Sequence, residues 1–260
     1  MKRLLATGAI AVVLVFAKLM NLREWQDNWD ALGKDDPLWV ILTDPTKKGG
    51  RWDPKDFFAT GETEINHLLQ ELKGKGHAVP KGVALDFGCG VGRLTQALAA
   101  HFETVHGIDI SPSMIEHANR LNRYPEKVQY HVNGGNRLEA IEDRSVDFIY
   151  SNIVLQHIEP RFSKVYVQEF MRVLRPGGLA VFQMIRATLP RKLFPDSLVV
   201  AYRNMKHKGK PYFGMFGVPE KEIIGIIEEG GGKPLEVKRT PFTWRWISMQ
   251  FVVRKQGSPQ

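Results

Sequence analysis

The sequence predicts an α/β fold: a doubly wound, mostly parallel sheet of seven strands, with an antiparallel hairpin strand at one edge and helices on both faces. Three observations carry this expectation. Residues 84–98, ALDFGCGVGRLTQAL, run from an apolar strand through a glycine-rich turn directly into a helical pattern, which is the first half of a βαβ unit. The same alternation then recurs, with strand-like stretches at Thr104–Ile110, from Val128, at Ser145–Tyr150 and at the end of residues 169–184, and such alternation favours parallel pairing. After residue 218 the order changes to a helix, Glu220–Glu229, followed by two strands, Leu235–Arg239 and Trp246–Arg254. Two consecutive strands form an antiparallel pair, suited to a sheet edge.

The elements are justified in chain order. Met1-Lys2-Arg3 precedes a 14-residue apolar run, Leu4–Ala17, which is short of the ~18 residues of a comfortable span and resembles a signal-like core. Residues 1–22 read either as a membrane-associating segment with Lys18 at the interface or, in part, as sequence upstream of a true start at Met20. In Asn21–Ala31, Leu22, Trp25 and Trp29 recur at near-helical spacing. Lys34–Trp52 reads as loop, broken by Pro37, Pro45 and Gly49-Gly50. Asp53-Pro54 opens a new segment, and Thr60 reads as a cap ahead of Ile65, Leu68, Leu69 and Leu72. The expected division is 1–22 as an apolar segment, 23–79 as a helical lid, 80–185 as the ligand-binding core, and 186–260 as a pocket insertion, last helix and closing hairpin. Trp29, Trp39, Trp52, Phe57 and Phe58 are the lid's candidate aromatics.

Within 84–98 the strand ends at Asp86, and Gly88, Gly90 and Gly92 follow at alternate positions. Glycine suits a tight turn whose backbone must approach a ligand closely. A dinucleotide site spaces its glycines G-x-G-x-x-G beneath a pyrophosphate. Here the third glycine comes one residue early, and a carboxylate that would repel phosphate stands two positions before the first. Asp109 ends the second strand, 21 positions beyond Gly88, close to the ~20-residue offset at which an acidic residue meets ribose hydroxyls. Ser111-Pro112 then reads as a helix cap with proline at the first helical position.

The run D-F-G-C-G-V-G, the acid at Asp109, the post-strand stretch Ser151–Ile158 and the turn R-V-L-R-P-G-G together resemble the class I S-adenosylmethionine-dependent methyltransferases over about residues 80–185. The resemblance implies a Rossmann-like sheet and S-adenosyl-L-methionine as methyl donor, with S-adenosyl-L-homocysteine as product. It implies cofactor contacts from Asp86, Phe87, Gly88, Cys89, Gly90, Gly92 and Arg93. It carries the ribose diol to Asp109, adenine packing to Ile110 and Met114, and further contacts to Gly134, Gly135, Asn136, Ser151, Asn152 and Gln156. The family usually has aspartate near Asn136, where the asparagine carbonyl can accept in its place. Cys89 is the chain's only cysteine and reads as a small filler of a crowded turn. No intrachain disulfide can form, which suits a reducing compartment.

Methyl transfer to an alcohol is an in-line displacement that needs alignment and a base. His157, after the fourth strand, is the candidate base. Arg186, at the end of the fifth strand, is a candidate for an anionic group of the acceptor. His157-Ile158-Glu159 offers a weak pair of magnesium ligands, and no metal is assigned. The net charge of +8 gathers partly in Arg186–Lys210, which reads as a solvated face or as a funnel for an anionic or lipidic substrate. The expected acceptor is an oxygen of a sugar, lipid-linked or other secondary metabolite. The alternatives are an RNA methyltransferase, disfavoured because Ser151-Asn152-Ile153-Val154 replaces an N-P-P-Y-type tetrad, and a non-catalytic cofactor-binding scaffold. A cytosolic methyl donor implies a cytoplasmic chain, or one attached to the cytosolic face of a membrane.

Overall fold

The computed structural model of the chain describes residues 21–187, 211–243 and 246–257. Helix α1, Leu22–Asp35, starts with a reciprocal capping box: Glu24 N–H donates to Asn21, and Asn21 N–H donates back to the Glu24 carboxylate, both at 2.9 Å. A short helix α2, Pro37–Ile41, and a 3₁₀ turn, Pro45–Lys47, follow. The prolines expected to break Lys34–Trp52 into loop instead occupy first-turn positions, where proline's missing N–H costs nothing. Helix α3, Pro54–Gly74, is capped by Asp53, which accepts the N–H groups of Lys55 and Asp56. Thr60 therefore lies inside α3, its hydroxyl donating to the Phe57 carbonyl rather than capping.

The alternating core follows as β1 Val83–Phe87, α4 Arg93–Ala99, β2 Thr104–Asp109, α5 Pro112–Arg120, β3 Val128–Val132, β4 Val146–Ser151, α6 Pro160–Val173 and β5 Leu174–Ala187. Helix α7, Glu220–Glu229, then leads to β6, Gly232–Thr243, and β7, Trp246–Lys255. The sheet order is β3-β2-β1-β4-β5-β7-β6. β1 to β5 are parallel, and β7 runs antiparallel between β5 and β6. The Pro-Gly-Gly break expected before β5 lies within it. Pairing with β4 jumps from Val146↔Leu174 to Phe148↔Leu179, so Pro176-Gly177-Gly178 form a bulge with Gly177 at φ +83°.

Alternate residues of each strand feed two cores. Leu85, Ile149 and Phe182 pack against Tyr166 and Phe170 of α6 and Ile223 and Ile227 of α7. Ala84, Phe148 and Val181 pack against Ile65, Leu68 and Leu72 of α3 and Leu94 and Leu98 of α4. The chain leaves β1 for β2 and β3, then returns to β4 on the other side. The topological switch point, where open α/β sheets bind ligands, thus lies outside the carboxyl ends of β1 and β4. Among the described residues, no helix is long and apolar enough to cross a membrane. The segment expected as an anchor (except its last two residues) and the basic stretch 188–210 lie outside the described residues.

Candidate active site

The glycine turn fills the mouth of the switch point. Gly88 and Cys89 N–H both donate to the Ile108 carbonyl, at 2.7 and 3.0 Å, tying the turn to β2. Gly88 sits at φ +77°, and a Cβ there would strike Val154 in the loop after β4. Gly92, at φ +85°, is the N-cap of α4, and a Cβ there would strike the buried Tyr130 hydroxyl. Both positions require glycine for conformation and for space.

Asp109 stands beside this turn. One carboxylate oxygen accepts Gly90 N–H and the other accepts Ser111 N–H, each at 2.9 Å. Each oxygen keeps a lone pair for one further donor, so the group fits a vicinal diol with one hydroxyl per oxygen. Burial pushes the Asp109 pKa up, and the Ser111 and Gly90 N–H groups oppose that. Ser111 caps α5 through Met114 N–H, as its spacing predicts. Met114 is buried against Phe57, Phe58 and Val91, while Ile110 packs on the cluster of Trp25, Tyr212 and Phe216.

Other candidates have structural employment. Asp86 lies below the turn, 1% exposed, and accepts the Thr95 hydroxyl at 2.6 Å. Burial raises its pKa to about 7, against the Thr95 hydrogen bond and the Arg93 charge. The Phe87 ring points into the α6 core, 4.6 Å from Tyr166 and 5.2 Å from Phe170. The Cys89 thiol is buried and its pKa pushed up by burial, which keeps it protonated and inert. Ser151 donates to the Phe87 carbonyl. Gly134 and Asn136 are exposed beyond β3, and the Gly135 carbonyl accepts Tyr166 Oη at 2.6 Å. Arg186 lies on the opposite face of β5 from Gln183, three residues away, where its charge acts on Glu220.

Arg93 and Asn152 converge on a residue outside the sequence motifs. Glu64, on α3, accepts Arg93 Nη2 and Asn152 Nδ2 at 2.8 Å and Tyr150 Oη at 2.9 Å. Its signal was a carboxylate among Gly61, Ile65, Leu68 and Leu72, a helical stripe otherwise buried. Helix α1 reaches the same neighbourhood. Asp30 accepts Ser113 N–H at 2.7 Å and the Ser111 hydroxyl at 3.2 Å. Gln26 donates to the Ile110 carbonyl, and Asn28 makes a two-way amide pair with the backbone of Tyr212. Trp25 Nε1 donates to buried Glu159, whose other oxygen accepts Arg161. One helix thus touches the Asp109 end of the site and the segment 212–216.

His157 lies in the 3₁₀ turn Leu155–His157 after β4. Its ring is 5.6 Å from Trp29 and 6.4 Å from Phe213. Nδ1 lies 2.5 Å from the Gly214 carbonyl, which fixes it as the protonated nitrogen and leaves the lone pair on Nε2. Burial pulls the ring's pKa below its usual value, against the Gly214 hydrogen bond. Glu159 is engaged by Trp25 and Arg161, and among the described residues no group of three or more His, Cys, Asp or Glu is arranged to hold a metal ion.

Residues 85–182 match the family described as "Methyltransferase domain". The 2-methyl-6-phytyl-1,4-hydroquinone methyltransferase of Synechocystis is 28% identical over 191 residues, covering 68% of this chain; the chain spans 59% of that relative's length. The ubiquinone biosynthesis O-methyltransferase of Coxiella burnetii is 26% identical over 213 residues, covering 82% of this chain and 79% of that one. The crystal structure of magnesium protoporphyrin IX methyltransferase from Synechocystis with bound S-adenosylmethionine shares the fold, with a TM-score of 0.58 and 17% identity over 91% of this chain and 98% of that one. The strand order and these likenesses agree: residues 85–182 match a methyltransferase domain, and the chain has the Rossmann-like fold of S-adenosylmethionine-dependent methyltransferases.

Proposed function

We propose that the chain transfers a methyl group from S-adenosylmethionine to an oxygen of a small, ring-bearing, lipophilic acceptor, with His157 as the general base. The sulfonium donor supplies an electrophilic methyl group, and the protein's share is alignment and proton removal. Asp109 is the residue for the ribose diol, and Met114 and Ile110 are suited to line the adenine side. Asp109 places a carboxylate beside the glycine turn, where a cationic ligand gains and a pyrophosphate loses, while the Glu64 charge is balanced by Arg93.

The observation that carries the acceptor reading is the surrounding of His157. Its imidazole stands beside Trp29 and Phe213 at the carboxyl end of β4, with Nε2 as the basic nitrogen. Aromatic walls suit a ring, and the exposed Phe213 and Ile153 make the neighbourhood apolar. Two of the relatives are named for hydroquinone and ubiquinone chemistry, which supports a lipid-linked phenol over a sugar. The test is methyl incorporation from labelled S-adenosylmethionine into a panel of prenylated phenols and hydroquinones, with product mass as readout. His157→Gln should abolish most turnover and leave S-adenosylmethionine binding by calorimetry unchanged. Turnover within a factor of two of the parent would remove His157 from the role, and sugar products alone would overturn the acceptor class.

A further inference from the structure

His157 is one end of a chain of amides that runs into the sheet. Its Nε2 lies 3.1 Å from Gln156 Nε2, so the Gln156 amide donates to the ring's lone pair. Gln156 Oε1 in turn accepts Gln183 Nε2 at 3.0 Å, and the same Gln183 nitrogen faces Ser248 Oγ at 3.0 Å and the Met184 carbonyl at 3.3 Å. Gln156 is 5% and Gln183 7% exposed. Gln183 belongs to β5 and Ser248 to β7, so the chain links the acceptor side of the site to two packed strands.

One atom in this chain is out of place. Gln183 Oε1 is buried and has no partner, an arrangement that costs free energy. Turning that amide over would set its oxygen against Gln156 Oε1 and the Met184 carbonyl, neither of which can donate. The orientation is therefore dictated by what the nitrogen holds. With Gln183 so placed, Gln156 must present its NH₂ group, and not its oxygen, to His157. A hydroxyl donating to Nε2 would occupy the same place as that NH₂ group.

We propose that Gln183, anchored on Ser248, is a positioning residue. In the absence of acceptor it sets the Gln156 amide so that Gln156 donates to His157 Nε2, which preserves the neutral ring, and the acceptor's hydroxyl displaces that NH₂ group when it binds. The proposal rests on the reading of His157 as the base. Were Gln156 free to rotate, its carbonyl oxygen would meet Nε2 and favour the imidazolium, which has no lone pair for the hydroxyl proton. The other groups facing the ring are Trp29 from α1, Phe213, and the Gly214 carbonyl. The nearest carboxylate along the chain, Glu159, is held by Trp25 and Arg161. The ring's depressed pKa agrees with a neutral imidazole at this position.

The experiment is a histidine-labelled NMR titration of the full chain saturated with S-adenosylhomocysteine, with the His157 resonance identified by its loss in His157→Gln. Gln183→Leu and Gln156→Leu should each raise the His157 pKa by about one unit, the scale of one neutral hydrogen bond. Gln183→Glu should raise it further, because a carboxylate accepts Gln156 NH₂ and turns the Gln156 oxygen toward the ring. Ser248→Ala, a smaller change, covers the case in which a Gln183 variant fails to fold, and should shift the titration in the same direction. His157 titration unchanged within about 0.2 units in the folded variants would overturn the proposal. Turnover surviving in His157→Gln would instead remove the base itself, so the two failures read out differently.

Discussion

Replacing Asp30 by asparagine probes how α1 is held over the site. Asp30 accepts Ser113 N–H and the Ser111 hydroxyl on one oxygen and pairs with Lys34 at 2.6 Å on the other. Burial alone would raise its pKa, but Lys34 and Ser113 outweigh it and bring the value from 3.8 to about 2. In full, such a drop is worth about 2.5 kcal/mol at neutral pH. Part of it comes from Lys34, whose side chain is 68% exposed, and solvent screens that share, so about 1–1.5 kcal/mol is expected. Asparagine retains an oxygen for Ser113 N–H and removes only the charge. The sign follows from the lowered pKa: the stabilisation is present above about pH 4 and is lost as pH falls towards 2. Urea unfolding at pH 7 should show Asp30→Asn less stable by about 1–1.5 kcal/mol, and the gap should shrink to about half by pH 3. A gap below about 0.3 kcal/mol at pH 7, or one undiminished at pH 3, would refute the account.

Three further outcomes follow from the glycine turn and its neighbours. Gly88→Ala should destabilise the chain by more than about 1 kcal/mol and abolish S-adenosylmethionine binding in calorimetry, because φ is +77° and Val154 fills the space. Ile153 is β-branched, sits at φ +60° and is 55% exposed, so Ile153→Asn should raise stability by about 1 kcal/mol in urea unfolding. Asp86 has a raised pKa near 7, so the folded state binds its proton more readily than the unfolded one. Thermal melts should show the parent gaining stability as pH falls from about 7 towards 4, an increment that Asp86→Asn should lack.

What the sequence made legible was local. The glycine turn, the Ser111 cap and the span Glu220–Glu229 each depend on contacts within a few residues, and each stands as its pattern implied, whereas the helix expected to be capped at Thr60 starts at Asp53-Pro54. The helix Pro37–Ile41 was hidden because proline at a first turn and proline in a loop look alike without the neighbouring packing. The bulge in β5 was hidden for a related reason: Pro-Gly-Gly signals a break, and only pairing with β4 shows that the strand runs through it. Around the site, the roles of Asp30, Glu64 and Gln183 rest on partners 83, 88 and 27 residues distant. No periodicity encodes such pairings. The carboxylate on the buried stripe of α3 was the one visible hint.

The placement of β7 bears on how the sheet tolerates damage. β6 bonds to β7 on one side and closes the sheet on the other. A stop codon or protease cut just before Trp246 would therefore strip away two ribbons of structure rather than one, leaving Gly232–Thr243 without a neighbour and the flank of β5 bare. An uncovered flank of that kind recruits other chains, so shortened forms of this protein should be recovered as aggregates instead of weakened monomers.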